Sequence, residues 1–183
     1  MKILLSVLIC IAMAQPTGGG FFNLSFTRLD GTPVATSTFS GKKTIIFAFN
    51  GTNPDVGMLQ YLDSVLQANA DSLAVLAVPG LEFDSTASSL ALGRLRDSLG
   101  LHLIIAGPAL IEKRSGTRQI PLFQWLTTMT SNGHFNRDVE EEGQLFVISG
   151  RGTLYSVINA GLYRSVLSRV VHSNVREQIQ QGY

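Results

Sequence analysis

Few side chains in this 183-residue sequence can do chemistry, and their spacing narrows what that chemistry is. The one cysteine is Cys10. Beyond it no residue can form a disulfide, a thiolate nucleophile or a zinc–thiolate site. The three histidines, His102, His134 and His172, include no pair at helical metal-ligand spacing, so no zinc site is expected. Asp138, Glu140, Glu141 and Glu142 form an acidic run without a calcium-loop pattern, which reads as a solvated turn. Neither a G-x-S-x-G nucleophile motif nor a phosphate-cradling glycine loop is present. A small polar set remains. Thr52 and Asn53 fall at the start of a predicted helix, where backbone N–H groups favour an anion or a thiolate. Glu82 falls on the C-terminal side of a predicted parallel strand, where α/β folds place sites. With Asn53 and Asn136 it could line a polar pocket; the alternative is an exposed loop carboxylate.

The elements that would position these residues follow from periodicity. Residues 44–49 are apolar, β-branched or aromatic, as in a strand buried on both faces. Asn50-Gly51 marks a turn. Asn53 is then expected as the helix N-cap, with Pro54 at the first helical position and Asp55 at the positive end of the dipole. Met58, Leu59, Leu62, Val65 and Leu66 recur at helical spacing. Residues 72–78 make a second strand, so strand, helix and strand form a parallel crossover. Ahead of this unit, residues 22–29 and 32–39 read as a hairpin about Asp30-Gly31, with Pro33 holding the second strand at an edge. After it, Asp84 or Ser85 is expected to cap a helix with Leu90, Leu92, Leu95 and Leu99 inward and Gly100 at its end. Residues 101–106 read as a short strand, 121–126 as a short helix started by Pro121, and 127–142 as a loop-rich insert. Trp125 reads as a packing anchor rather than a ligand platform. Residues 144–148 and 153–158 form a second hairpin. A last helix carries Leu162, Val166, Leu167, Val170, Val171 and Val175 on one face, with Arg164, Arg169 and Arg176 elsewhere on it.

Length suits one domain with a sizeable core. A formal net charge of +1 predicts no nucleic-acid binding and no strong attraction to a membrane surface. Lys2, the apolar run 3–12 and the small-x-small pattern Ala12-Met13-Ala14 predict a cleavable secretory signal over residues 1–14. The run is too short to span a bilayer. A flexible lead over 15–21 and a domain over 22–183 follow, placing the protein in a secreted or periplasmic compartment without stable membrane insertion after cleavage. The alternative is a lipid anchor through Cys10, against which bulky Ile9 argues.

The order hairpin, crossover, helix, hairpin, helix is α/β, a mixed central sheet flanked by helices with an N-terminal β-hairpin, and a thioredoxin-like layout matches it best. Within that layout the sequence resembles the glutathione peroxidase family. Asp30-Gly31 and Val34 with Gly41-Lys42 are similar to the family's opening motif. Residues 45–54 resemble the strand and loop that carry its peroxidatic residue, 78–83 its glutamine segment, and 121–126 its proline–leucine helix. Phe135-Asn136 stands where the family has Trp-Asn. The resemblance covers residue 22 to the last helix. It places the family's nucleophile on Asn53 (Thr52 if the loop is shifted), its glutamine on Glu82, its tryptophan on Phe135 and its asparagine on Asn136. Asn136 alone is retained.

The resemblance implies thiol-dependent peroxide reduction, and the residues argue against it. Attack on O–O needs a soft, ionisable nucleophile. Asn cannot ionise, and a Thr hydroxyl without an adjacent base is too weak. Glu82 brings negative charge that disfavours a thiolate, and Phe135 has no indole N–H to donate. The expectation is a catalytically inactive relative, without cofactor, that binds an unidentified protein or small molecule. Two alternatives are kept: a residual peroxidase, which would need Cys10 retained, and a non-thiol enzyme built on Glu82, Asn53 and Asn136.

Overall fold

A computed structural model describes residues 20–160 together with 166, 167, 169 and 170. The expected signal sequence, most of the lead and most of the last helix, with Leu162, Arg164, Val171, His172, Val175 and Arg176, lie outside the described residues.

Seven consecutive buried or half-buried residues make the central strand β3 (Lys43–Phe49). It pairs in parallel with β4 (Leu73–Pro79), buried throughout. On its other side it pairs antiparallel with β6 (Leu145–Ile148), which turns back as β7 (Leu154–Ile158). The short β5 (Ile104–Ile105) joins β4 in parallel, giving the order β5-β4-β3-β6-β7. A separate two-stranded sheet of β1 (Ser25–Thr27) and β2 (Pro33–Ala35) precedes it.

The two faces of the sheet carry different partners because side chains alternate along each strand. Ile45, Phe47, Phe49, Val75 and Ala77 meet α1 (Val56–Ala68) through Met58, Leu59 and Leu62, α2 (Ser89–Leu99) through Leu92, and Leu167. Ile46, Ala48, Leu76 and Val78 meet α3 (Pro121–Thr127) through Leu122, Phe123, Trp125 and Leu126, with Phe26 of β1. Each fully buried Leu or Phe here contributes about 1.5–3 kcal/mol. Trp125 packs at 5.6 Å from the Phe21 ring and is 4% exposed, an anchor of this layer.

Several expected boundaries shift. Asp55, not Asn53, is the α1 N-cap, and Pro54 precedes the helix. Both residues suit a cap, but only Asp55 reaches an orphan amide, accepting from Met58 N at 2.9 Å. Neither Asp84 nor Ser85 caps α2; Ser88 does, accepting from Ala91 N. Asp84 is engaged elsewhere, as described below. Leu90, two positions from buried Leu92 and so on the opposite side of the helix, faces outward, 67% exposed, instead of inward. The first hairpin is shorter than its alternation suggests. The chain enters it through a 3-10 turn (Phe21–Asn23) and leaves through another (Thr36–Phe39). The second strand ends where the chain turns at Thr36: its amide still donates to the Leu24 carbonyl at 2.9 Å, and its buried hydroxyl shares its one proton between the Leu24 and Phe21 carbonyls. Of residues 101–106 only Ile104–Ile105 form a strand, because the amides of His102 and Leu103 go to Asp63 of α1. The 127–142 insert contains one helical turn, α4 (Met129–Asn132).

Candidate functional site

The chain leaves β3 at Asn50, and the next four residues decide what this end of the sheet can hold. The Asn50 carboxamide oxygen accepts from the amides of Thr52 (3.1 Å) and Asn53 (3.2 Å). This is a local turn closed by its own side chain. Thr52 Oγ1 lies 2.9 Å from Asn50 Oδ1 and 2.5 Å from Asp84 Oδ2. With one proton to give, the hydroxyl donates to the charged and nearer acceptor. Gly51 is buried beneath, and a Cβ there would stand 2.8 Å from Ala87 Cβ and 3.0 Å from Pro79 Cβ, so only glycine lets the loop sit this close.

The electrostatics of this loop are negative. Hydrogen bonds from the hydroxyls of Thr52 and Thr86 and from the Thr86 amide hold the Asp84 carboxyl down at about 2, ionised at any ordinary pH. Asp55 occupies the helix N-terminus. A cavity of about 530 Å³ beside Asn53 is lined also by Asn50, Phe49, Asp55 and Glu142. The amides that a thiolate or anion would use here are taken by Asn50 and Asp55, and the neighbouring side chains carry negative charge.

Glu82 lies elsewhere in its bonding. Its carboxylate accepts from Ser115 Oγ (2.6 Å) and from the amides of Ile111 and Glu112 (3.0 Å each). Burial alone would raise its pKa, but these donors together hold it below its ordinary value. Glu112 is pushed the other way, by its own burial, with the Arg114 guanidinium opposing and Glu82 and Asp138 reinforcing. Asp138, expected in a solvated turn, is half-buried and accepts from the amides of Lys113 (2.7 Å) and Val139 (2.9 Å). Asn136 is exposed and accepts from Lys113 Nζ at 3.2 Å. Phe135 is half-buried and meets the Phe146 ring edge-on at 6.4 Å. The buried Asn132 carboxamide fixes that turn, donating to the carbonyls of Trp125, Leu126 and Phe135 and accepting from the amides of His134 and Phe135.

The four sequence-derived positions therefore fall into two groups. Glu82 and Asn136 both bond to the 111–115 segment, with Phe135 beside Asn136. Asn53 belongs to the Asn50 turn, and no hydrogen bond among the described residues links it to the other three. Among the described residues no group of three or more His, Cys, Asp or Glu side chains is arranged to hold a metal ion. His102 is exposed at its ring, with Nδ1 3.3 Å from Asp63 Oδ2. Sequence reasoning passed over three groups. From sequence Asn50 marks only a turn, although an Asn two residues before Thr is the pattern of a side-chain-closed turn. Asp84 looks only like a cap. Asp63, an acid directly beside Leu62 on the apolar side of α1, signalled a buried tie.

No family model matches this sequence, and no curated protein does. Solved structures do. The apo form of Trgpx superposes with a TM-score of 0.65 at 17% identity, covering 84% of this chain and 93% of that one. GPX1 of T. cruzi gives 0.63 at 13% identity, covering 84% and 94%. A secreted disulfide oxidoreductase of Mycobacterium tuberculosis gives 0.54 at 15% identity, covering 82% and 95%. The structural neighbours are thus glutathione peroxidase-like proteins and thiol–disulfide oxidoreductases, and the fold of this chain is thioredoxin-like.

Proposed function

We propose that this protein is an exported glutathione peroxidase-like chain that acts by binding rather than by thiol redox chemistry. The observation that carries this reading is the Asn50–Asp55 loop. The position that resembles the family's nucleophile holds Asn53, its amide is bonded to Asn50, and Asp55 and Asp84 flank it with negative charge. A thiolate placed there would meet repulsion where it needs donors.

Glu82 in this reading is a structural tie for the 111–115 segment and not a general base. An ionised carboxylate already holding three donors has low basicity. Phe135 and Asn136 are proposed as the remaining positions of the family site, with Phe135 lacking the indole donor and Asn136 bonded to Lys113 Nζ. Residues 1–14 are proposed as the export signal and 22–183 as the domain. Their apolar run supports this, and one structural neighbour is secreted. No helix among the described residues is long and apolar enough to cross a membrane.

The test is peroxide consumption by the purified chain beginning at Gln15, with thioredoxin and with glutathione as reductants. A rate equal to a heat-killed control is expected. Turnover above it would overturn the reading.

A further inference from the structure

We propose that the groove between the N-terminal hairpin and the 106–121 segment binds a small carboxylate with an apolar body, such as a medium-chain fatty acid. The groove encloses about 570 Å³ and shares no residue with the cavity beside Asn53. That volume falls in the range of small-molecule sites, about 300–1,000 Å³.

Two features of its lining define the ligand. The first is apolar: Leu29, Leu81, Leu110 and Ile120 line it, each only half-buried by the protein itself. The second is charge. Arg28 stands on the hairpin wall and Arg118 on the opposite wall, both exposed, and no Asp or Glu lines the groove. Arg118 makes no ion pair and no side-chain hydrogen bond among the described residues. Arg28 acts on the Asp30 carboxylate through space but forms no ion pair with it. Three arginines are matched, Arg96 with Asp97, Arg114 with Glu112 and Arg137 with Glu140, whereas Arg28 and Arg118 face the groove without an acid. Two unmatched guanidinium forks over an apolar floor suit a planar carboxylate, which such a fork binds through paired hydrogen bonds, with hydrocarbon attached.

The walls are already fixed, so binding costs little ordering. Gly107 N donates to Thr27 O at 2.8 Å, Leu81 N to Ala109 O at 2.9 Å, and Ile120 N to Leu110 O at 2.9 Å. Gly107 permits this closeness, since a Cβ there would lie 3.3 Å from the Arg28 carbonyl. The groove is too small for a folded partner.

The experiment is calorimetric titration of the chain from Gln15 with decanoate, below its micelle concentration, beside decanol and an acidic leucine-containing peptide. Arg28→Gln and Arg118→Gln change exposed side chains and are checked for an unchanged melting curve. Arg137→Gln serves as a charge control outside the groove. Saturable one-to-one binding of decanoate is expected, at least about tenfold weaker for decanol and for either groove variant, and unchanged for Arg137→Gln. Absence of saturable decanoate binding, equal affinity for decanol, equal loss in Arg137→Gln, or binding of the peptide in its place would each overturn the proposal. This site does not depend on the loss of thiol chemistry, and the decanoate titration and the peroxide assay can fail independently.

Discussion

The Glu82 carboxylate takes two backbone amides and one hydroxyl, and this makes it a stability determinant that can be measured. Hydrogen bonds to a charged group contribute about 1.5–3 kcal/mol each, less where water competes. Glu82→Ala is therefore expected to lower unfolding free energy by about 3 kcal/mol at neutral pH, read from urea midpoints. The sign of its pH dependence follows from a folded-state pKa below the ordinary 4.5. The contribution is complete above pH 4.5 and is lost as pH falls through the folded-state value. The wild-type minus Glu82→Ala difference should shrink with acidification in that window; a constant difference would contradict the tie. Glu82 was legible in the sequence as a singular carboxylate at a strand end. Its partners were not, because Ser115 and Ile111 lie about thirty residues away and only tertiary structure brings them in.

The β3–loop–α1 unit shows which parts of an element a sequence displays. The buried strand and the amphipathic helix were plain from composition and period, since both are imposed by the core. The helix start was not. Asn53-Pro54-Asp55 offers two competent caps, and the choice falls to Asp55, whose side chain is the one placed to accept from a first-turn amide, Met58 N. Asp55→Ala removes a cap and should cost about 1 kcal/mol by thermal or urea unfolding, where no change would remove Asp55 from that role. Asn50 has a separable effect. In Asn53→Cys the new thiol competes with Asn50 for the amides, whereas in Asn50→Ala/Asn53→Cys the amides of residues 52 and 53 are free to stabilise a thiolate. The double variant should therefore show a lower thiol pKa than the single one, measured by pH-dependent alkylation. Equal values would show that Asn50 does not block the loop. The α2 start failed for a related reason: Asp84 looks like a cap from sequence, yet its carboxylate is held by Thr52 and Thr86.

Across the molecule, topology was the most legible feature. Two long apolar strands around an amphipathic helix leave little choice but a parallel pair, and Ser149 to Gly152 set the β6–β7 hairpin. The shorter pieces, β1, β2 and β5, are overestimated from sequence because alternation does not reveal where the chain turns into a 3-10 segment, as at Thr36–Phe39, or where a distant carboxylate such as Asp63 takes the backbone amides. The groove between Arg28 and Arg118 was invisible for the same reason, its walls being ninety residues apart in the chain.

A thioredoxin-like frame without cysteine beyond Cys10 makes one measurement decisive: peroxide consumption by the chain from Gln15, side by side with its Asn53→Cys and Asn50→Ala/Asn53→Cys variants. The expected result is no turnover by the wild type and little or none by Asn53→Cys, whose thiol still faces the Asn50-claimed amides and the Asp55 and Asp84 carboxylates. A detectable gain is expected in the double variant, which places the family's nucleophile position and shows that both the missing thiol and the occupied loop silence it. Turnover by the wild-type chain would contradict the loss of redox chemistry outright, and an inert double variant would contradict the assignment of Asn53 to that position.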